Sequence, residues 1–230
     1  MAEGIAERLA AVRQGMAEAA RRAGRDPGEV LLVAVSKTKP VEEIQAAIRA
    51  GQVDFGENYA QELREKKAEV SDPRVRWHFI GHLQTNKVKH LAGEAALIHS
   101  VDSVKLLEEL EKRAAGKGLV QEILLEVNLG GEESKSGMTE AGLPEVIEAA
   151  LLRPHLKLRG LMTMPPYFPE GEPSRPFYRR LRELRDQEQA RLLGRAELRE
   201  LSMGLSHDFQ VAIEEGATMV RVGTAIFGAR

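Results

Sequence analysis

The chain has 230 residues, of which 33 are basic and 35 acidic, so its formal net charge is −2. Apolar residues make up 43% and charged residues 30%, which is typical of a globular protein and excludes a disordered chain. The near-zero charge argues against a dedicated nucleic-acid-binding protein, which needs a basic face. The absence of cysteine excludes a disulfide scaffold, a cysteine-ligated zinc site and a thiol nucleophile.

The sequence also argues against a membrane protein. Its longest apolar run covers only residues 30–35, far short of a membrane span. Charged residues at positions 3, 7 and 8 interrupt the first apolar pattern, which argues against a signal peptide. These observations predict a cytoplasmic protein.

The first 24 residues predict one amphipathic helix. Apolar residues recur at steps of three and four from Ile5 to Ala23, and Gly24 and Pro27 mark the end of the pattern. This helix precedes the first strand.

A regular alternation of short apolar runs and helical patterns follows. The predicted strands cover residues 31–36, 53–56, 75–80, 96–101, 120–128, 156–164, 198–204 and 219–227. The predicted helices between them cover residues 41–50, 59–70, 86–91, 104–115, 140–152, 175–193 and 208–215.

Eight strand–helix units without a long linker predict one domain over residues 1–230, folded as a (β/α)8 TIM barrel. The alternative is an open, doubly wound sheet. That fold usually carries a glycine-rich phosphate turn after its first strand, whereas residues 36–40 here read SKTKP.

Lys37 is the first candidate functional residue, because barrel active sites lie at the carboxyl ends of strands. Strand alternation places Lys37 on the same face as Val33 and Val35, at the mouth of an apolar cylinder. A desolvated lysine amine is a nucleophile that forms Schiff bases with carbonyl groups. The alternatives are a solvated lysine past a strand end, or Lys39 as the reactive residue.

The last two strand ends supply the other candidates. Arg221 stands between two valines within the eighth strand, so it either binds a ligand or forms an ion pair with Glu126 or Glu57. Ser206 follows the seventh strand as a candidate anion ligand or helix cap. Gly223 and Thr224 offer backbone N–H groups at the usual phosphate position of this fold.

No metal or nucleotide site is predicted. His78 and His82 are four residues apart but flank a strand end, and no glutamate follows as in a metalloprotease helix. The glycine-rich turn at residues 130–133 lacks the Walker spacing.

A reactive lysine, a buried arginine and a phosphate cradle match the aldehyde, ring nitrogen and phosphate of pyridoxal 5′-phosphate (PLP). The chain also resembles the pyridoxal phosphate homeostasis proteins, which are single-domain relatives of the alanine racemase barrel. Seven stretches carry the resemblance in order: residues 34–40, 55–59, 77–87, 134–137, 158–162, 201–206 and 219–230.

The resemblance implies specific roles for the candidate residues. Lys37 would hold PLP as a Schiff base, and Arg221 would face the pyridine nitrogen. Asn58 would line the pocket from the second strand, and Lys135 would lie outside the first contact shell or assist cofactor handover. The phosphate would be held by Ser206 together with the backbone of Gly223 and Thr224.

These roles favour a PLP-binding protein in vitamin B6 homeostasis over a strong catalyst. Arginine cannot accept a proton, so the ring nitrogen stays neutral and the ring is a weak electron sink. By resemblance, alanine racemases take their second base, a tyrosine, from an additional β-rich domain, which is not expected after Arg230. Expected partners are PLP and PLP-dependent apoenzymes, and the expected state is a monomer. The alternatives are an amino-acid racemase or decarboxylase, and an aldolase-type Schiff-base barrel acting on a sugar phosphate.

Overall fold

The computed structural model describes residues 4–131 and 136–228, in which eight parallel strands close into a barrel. The strands are β1 (Leu31–Val35), β2 (Asp54–Glu57), β3 (Arg76–Phe79), β4 (Leu97–Val101), β5 (Gln121–Glu126), β6 (Leu156–Met162), β7 (Glu200–Ser202) and β8 (Met219–Val222). Each strand pairs with its neighbours in chain order, and β8 returns to β1 with Arg221 opposite Val33. This closure confirms the predicted (β/α)8 barrel and excludes the open, doubly wound sheet.

Helices surround the barrel on its outer face. The α-helices are α1 (Ile5–Arg22), α2 (Val41–Arg49), α3 (Ala60–Glu69), α4 (Val104–Gly116), α5 (Leu143–Leu151), α6 (Arg175–Arg191), α7 (Phe209–Glu214) and α8 (Thr224–Phe227). Within the described ranges, none of these helices is both long enough and apolar enough to traverse a bilayer.

The helix predicted over residues 86–91 is present, but it is a 3₁₀ helix and not an α-helix. It covers Thr85–His90 between β3 and β4, and Val88 is its buried residue. Its bonds close over three residues, with Lys87 N donating to Gln84 O at 2.9 Å. A single buried apolar side chain gives this short segment no stripe with which to form an α-helix.

The predicted first helix is present and packs outside the barrel. Ile5, Leu9, Val12 and Met16 lie at helical spacing on its buried face. This face contacts α7, α8 and α2. Helix α1 therefore covers the outer surface beside the seam between β8 and β1.

The barrel separates two sets of side chains by strand alternation. Outward residues such as Phe55 and Ile98 belong to the main apolar core between the strands and helices. The inward set includes a small apolar cluster formed by Leu31, Leu97, Leu124, Met162 and Met219. Polar side chains occupy other inward positions, and these define the candidate functional site.

The last predicted strand, residues 219–227, is too long. Strand β8 ends at Val222, and Gly223 turns the backbone to φ −116° and ψ −73°, out of the extended region. The Gly223 carbonyl then accepts from Ile226 N and Phe227 N, each at 2.9 Å, which begins α8. Apolar periodicity does not separate a short buried helix from a buried strand, which explains the error.

Other predicted strands are also longer than observed. The sequence predicts that β5, β6 and β7 end at residues 128, 164 and 204, whereas in the structure they end at Glu126, Met162 and Ser202. Buried apolar residues such as Val127 and Met203 follow these strand ends where the chain turns into the loops of the barrel mouth. After β5, an isolated bridge pairs Val127 with Met138.

Candidate functional site

Lys37 lies two residues beyond the end of β1, in the turn that leaves the barrel. Leu31 and Val33 are inward residues of β1, and the chain leaves the strand at the mouth of the barrel just before Lys37. Lys37 itself is half-buried. The competing candidate Lys39 is directed elsewhere, because its Nζ donates to Phe227 O at 3.0 Å.

Arg221 lies inside the barrel and is only 2% exposed. Its Nη1 donates to Ser202 Oγ at 2.6 Å and its Nη2 to Thr163 O at 3.0 Å. Among the described residues, no carboxylate lies within 4.0 Å of the guanidinium. The ion-pair alternative is therefore wrong: Glu57 pairs with Lys66 at 2.8 Å, and Glu126 acts on Arg221 only at longer range.

Ser202 connects Arg221 to a chain of buried polar groups across the barrel. The guanidinium only donates, so Ser202 Oγ accepts from Arg221 Nη1, and the same oxygen is hydrogen-bonded to His99 Nδ1 at 2.8 Å. His99 Nε2 is in turn hydrogen-bonded to His78 Nδ1 at 2.9 Å. His78 in turn donates from Nε2 to Asp54 Oδ1 at 2.9 Å.

The two ends of this hydrogen-bonded series have fixed roles. An arginine has no acceptor and an ionised carboxylate has no donor, so Arg221 donates to Ser202 Oγ and Asp54 Oδ1 accepts from His78 Nε2. Burial lowers the pKa of His99 well below its usual value, and the nearby His78 and Arg221 add to this effect. For Asp54, burial raises the pKa but donors from His78 and Arg76 outweigh it, so the net direction is downward.

This series of hydrogen bonds was not predicted from the sequence, which suggested His78 only as a possible metal ligand together with His82. Both ring nitrogens of His78 are hydrogen-bonded inside the barrel, whereas the side chain of His82 is 55% exposed and lies 4.0 Å from Asp102. The signal in the sequence was the polar residue at an inward position of several strands, for example His99, which lies two residues from both Leu97 and Val101 in β4.

Ser206 lies beside the start of α8. Its Oγ accepts from Gly223 N at 3.1 Å and from Ala225 N at 3.3 Å, so these two backbone donors converge on one oxygen. The expectation that Ser206 caps the next helix is wrong, because Asp208 holds the N-cap position of α7. Thr224, between the two donors, is exposed at the mouth.

Asp208 holds the loop that carries Ser206. Its Oδ1 accepts from Leu205 N at 2.7 Å. Its Oδ2 accepts from Ser174 Oγ at 2.9 Å and from the Tyr178 hydroxyl at 2.6 Å. Asp208 is 2% exposed, and both of its carboxylate oxygens accept hydrogen bonds. It therefore anchors the loop to the start of α6.

Asn58 directly follows the end of β2. Its Oδ1 is buried, and the described part of the chain offers this oxygen no hydrogen-bond partner. Gly81 makes room for Asn58, because a Cβ on Gly81 would lie 2.2 Å from Asn58 O. An unsatisfied buried oxygen costs free energy, so a hydrogen-bond donor reaching Asn58 Oδ1 would be favourable.

Glu126 is an inward carboxyl at the end of β5 and is 5% exposed. Burial raises its pKa to about 7, with a further increase from Asp102 and a decrease from Arg221. Sequence reasoning considered Glu126 only as an ion-pair partner. Lys135, the other residue implied at this end of the barrel, lies outside the described residues.

The mouth thus combines a lysine, a fixed guanidinium and two converging backbone donors, from β1, β8 and the loops after β7 and β8. Comparisons with known proteins show which family the chain resembles. The family model described as "Alanine racemase, N-terminal domain" matches residues 8–230. A curated relative from Aquifex aeolicus, named "Pyridoxal phosphate homeostasis protein", is 48% identical over 97% of both chains.

The chain is also similar to solved structures. PipY of Synechococcus elongatus, solved with PLP bound, is 36% identical with a TM-score of 0.86, covering 97% of this chain and all of that one. The alanine racemase of Corynebacterium glutamicum is 16% identical with a TM-score of 0.68, covering 96% of this chain and 62% of that one. The second likeness is one of fold alone.

Proposed function

The chain belongs to the pyridoxal phosphate homeostasis protein family, and we propose that it holds PLP as a Schiff base on Lys37. The names of its relatives and the PLP in the PipY structure support this proposal. The residues at the mouth support it independently, because each type of polar group on the cofactor has a complementary group in this chain.

The phosphate has the most specific complement. Ser206 Oγ, Gly223 N and Ala225 N converge, so a phosphate oxygen there would accept from both amides and from the Ser206 hydroxyl. Thr224 adds an exposed hydroxyl at the same edge. Asn58, with its unsatisfied Oδ1, would contact the ring from the β2 side.

Lys37 would make the covalent attachment. Bound PLP supplies an aldehyde, and its carbon forms a C=N bond with the lysine amine while the carbonyl oxygen leaves as water. The amine attacks in its neutral form. Lys39 is a poor substitute because Phe227 O already accepts from its amine.

The observation that carries the functional conclusion is the fixed donor role of Arg221. Ser202 Oγ and Thr163 O hold two of the guanidinium donors, and the guanidinium keeps its charge in this environment. Facing the ring nitrogen, Arg221 would donate and never receive a proton. The ring would then stabilise carbanions poorly, so we propose a cofactor holder without strong catalysis of its own.

A holder needs exchange with other proteins. We propose that PLP-dependent apoenzymes are the recipients and that the chain acts as a monomer in the cytoplasm. Transfer of PLP to an apoenzyme faster than its spontaneous release would support direct delivery. Equal rates would restrict the protein to buffering the free cofactor.

The proposal is tested with Lys37→Ala and the matched variant Lys39→Ala. We expect Lys37→Ala to lose the visible absorbance of the Schiff base and Lys39→Ala to keep it. The opposite pattern would refute the assignment. With the wild-type protein, exchange of amino-acid α-protons for deuterium above the rate of free PLP would favour a racemase or decarboxylase instead.

A further inference from the structure

A second buried cluster lies directly beneath the Lys37 turn and has no part in contacting the cofactor. It consists of Glu57 at the end of β2 and of Glu62 and Lys66 on α3. The side chain of Glu57 is fully buried and that of Lys66 only 7% exposed. Burying two charges is costly unless they are well paired, so the cluster needs a physical reason.

Lys66 uses all three of its donors within this cluster. Its Nζ donates to Glu57 Oε1 at 2.8 Å, to Glu62 Oε1 at 2.6 Å and to the carbonyl oxygen of Ser36 at 2.6 Å. The Ser36 hydroxyl also donates to Glu57 Oε1 at 2.6 Å. The residue before Lys37 is therefore tied to the cluster through both its backbone and its side chain.

The residue after Lys37 is tied to the same cluster. Thr38 N donates to Glu62 Oε1 at 2.6 Å. Thr38 has a φ of 62°, in the left-handed region that a threonine rarely adopts. Such a backbone is retained only where neighbouring contacts impose it, and residues holding strained backbone often serve a functional site.

We propose that Glu57, Glu62 and Lys66 form a positioning cluster that fixes the backbone on both sides of Lys37 and so holds its amine at the distance needed for Schiff-base formation. The inference rests on the proposed function, since it assigns the cluster to the lysine that forms the Schiff base. The three residues act through the turn and do not touch the cofactor.

Two ligands separate a positioning role from a general structural one. Pyridoxal 5′-phosphate has the ring, the phosphate and the aldehyde, whereas pyridoxamine 5′-phosphate has an amine in place of the aldehyde and forms no Schiff base. We would measure dissociation constants for both ligands with the wild type, Lys66→Met and the matched control Lys67→Met. Lys67 is the next residue of α3 and pairs with Glu94 outside the cluster.

We expect Lys66→Met to weaken the aldehyde ligand about tenfold, the loss of roughly one hydrogen bond to a charged group, and to leave the amine ligand unchanged. Lys67→Met should change neither constant. Equal weakening of both ligands, or no change in either, would overturn the positioning role.

A second pair of variants covers the case in which Lys66→Met does not fold. Glu62→Ala removes only the acceptor of Thr38 N and one of the Lys66 contacts, at a side chain that is 21% exposed. Glu65→Ala is its control, since Glu65 lies on the same helix and accepts only from Gln61 in the described structure. The aldehyde-specific loss is expected for Glu62→Ala alone, and its absence would overturn the inference.

Failure of the proposed function has a different signature. If wild-type protein itself bound the two ligands equally and gave no Schiff-base absorbance, Lys37 would not be the attachment site. An intact wild-type Schiff base with no effect of either variant would contradict the positioning cluster alone.

Discussion

The substitution Ser202→Ala tests the polar chain at the residue on which Arg221 depends. It removes the oxygen that accepts from Arg221 Nη1 at 2.6 Å and is hydrogen-bonded to His99 Nδ1 at 2.8 Å. Arg221 is 2% exposed and His99 fully buried, so water does not easily replace the lost partner. A hydrogen bond to a charged group contributes about 1.5–3 kcal/mol, and a buried unsatisfied histidine nitrogen adds about 1 kcal/mol. We expect a total loss of about 3 kcal/mol.

The free energy of unfolding of the apoprotein, measured with urea at neutral pH, provides the assay. Ser100→Ala is the matched control, because Ser100 is also buried but donates to a neutral acceptor, Gly81 O, at 2.5 Å. This control should lose about 1 kcal/mol. Equal losses for Ser202→Ala and Ser100→Ala would refute the reasoning, since they would show that the guanidinium does not depend on Ser202.

Three further predictions concern the barrel mouth and Asp54, which lies at the opposite end of the hydrogen-bonded series from Arg221. Because burial raises the pKa of Glu126 to about 7, its contribution to stability is present below its unfolded pKa and is lost as pH rises through 7. Urea unfolding should therefore show wild type losing about 3 kcal/mol relative to Glu126→Gln between pH 4.5 and 8, and parallel profiles would contradict this. The lowered pKa of Asp54 has the opposite sign, so the deficit of Asp54→Asn should shrink as pH falls through the folded pKa, and a constant deficit would exclude an ionised Asp54. Ser206→Ala should weaken PLP binding about tenfold in an absorbance titration, whereas unchanged affinity would remove Ser206 from the phosphate site.

The barrel was predictable because its evidence is local. Each strand is a short apolar run, each connection has helical spacing, and eight such units in order allow few other folds. The same alternation that placed Arg221 on an inward position is present in the structure, where Arg221 lies opposite Val33 and is buried. The roles of Lys37 and Arg221 toward a cofactor stay predictions.

The remainder depends on contacts between strands far apart in the chain. Ser202 and His99 are 103 residues apart, and nothing in either segment indicates that their side chains meet inside the barrel. The bonding of Ser206 was also missed, because it depends on where β8 ends and α8 begins. That boundary follows from the backbone of Gly223, to which apolar periodicity is insensitive.

The most direct test of the central claim is borohydride reduction of the PLP-loaded protein, followed by peptide mass mapping. Reduction converts a Schiff base into a stable phosphopyridoxyl amine and so marks the lysine that carried it. We expect one modified peptide, with the added mass on Lys37. An adduct on Lys39, a label spread over surface lysines, or no label at all would contradict it.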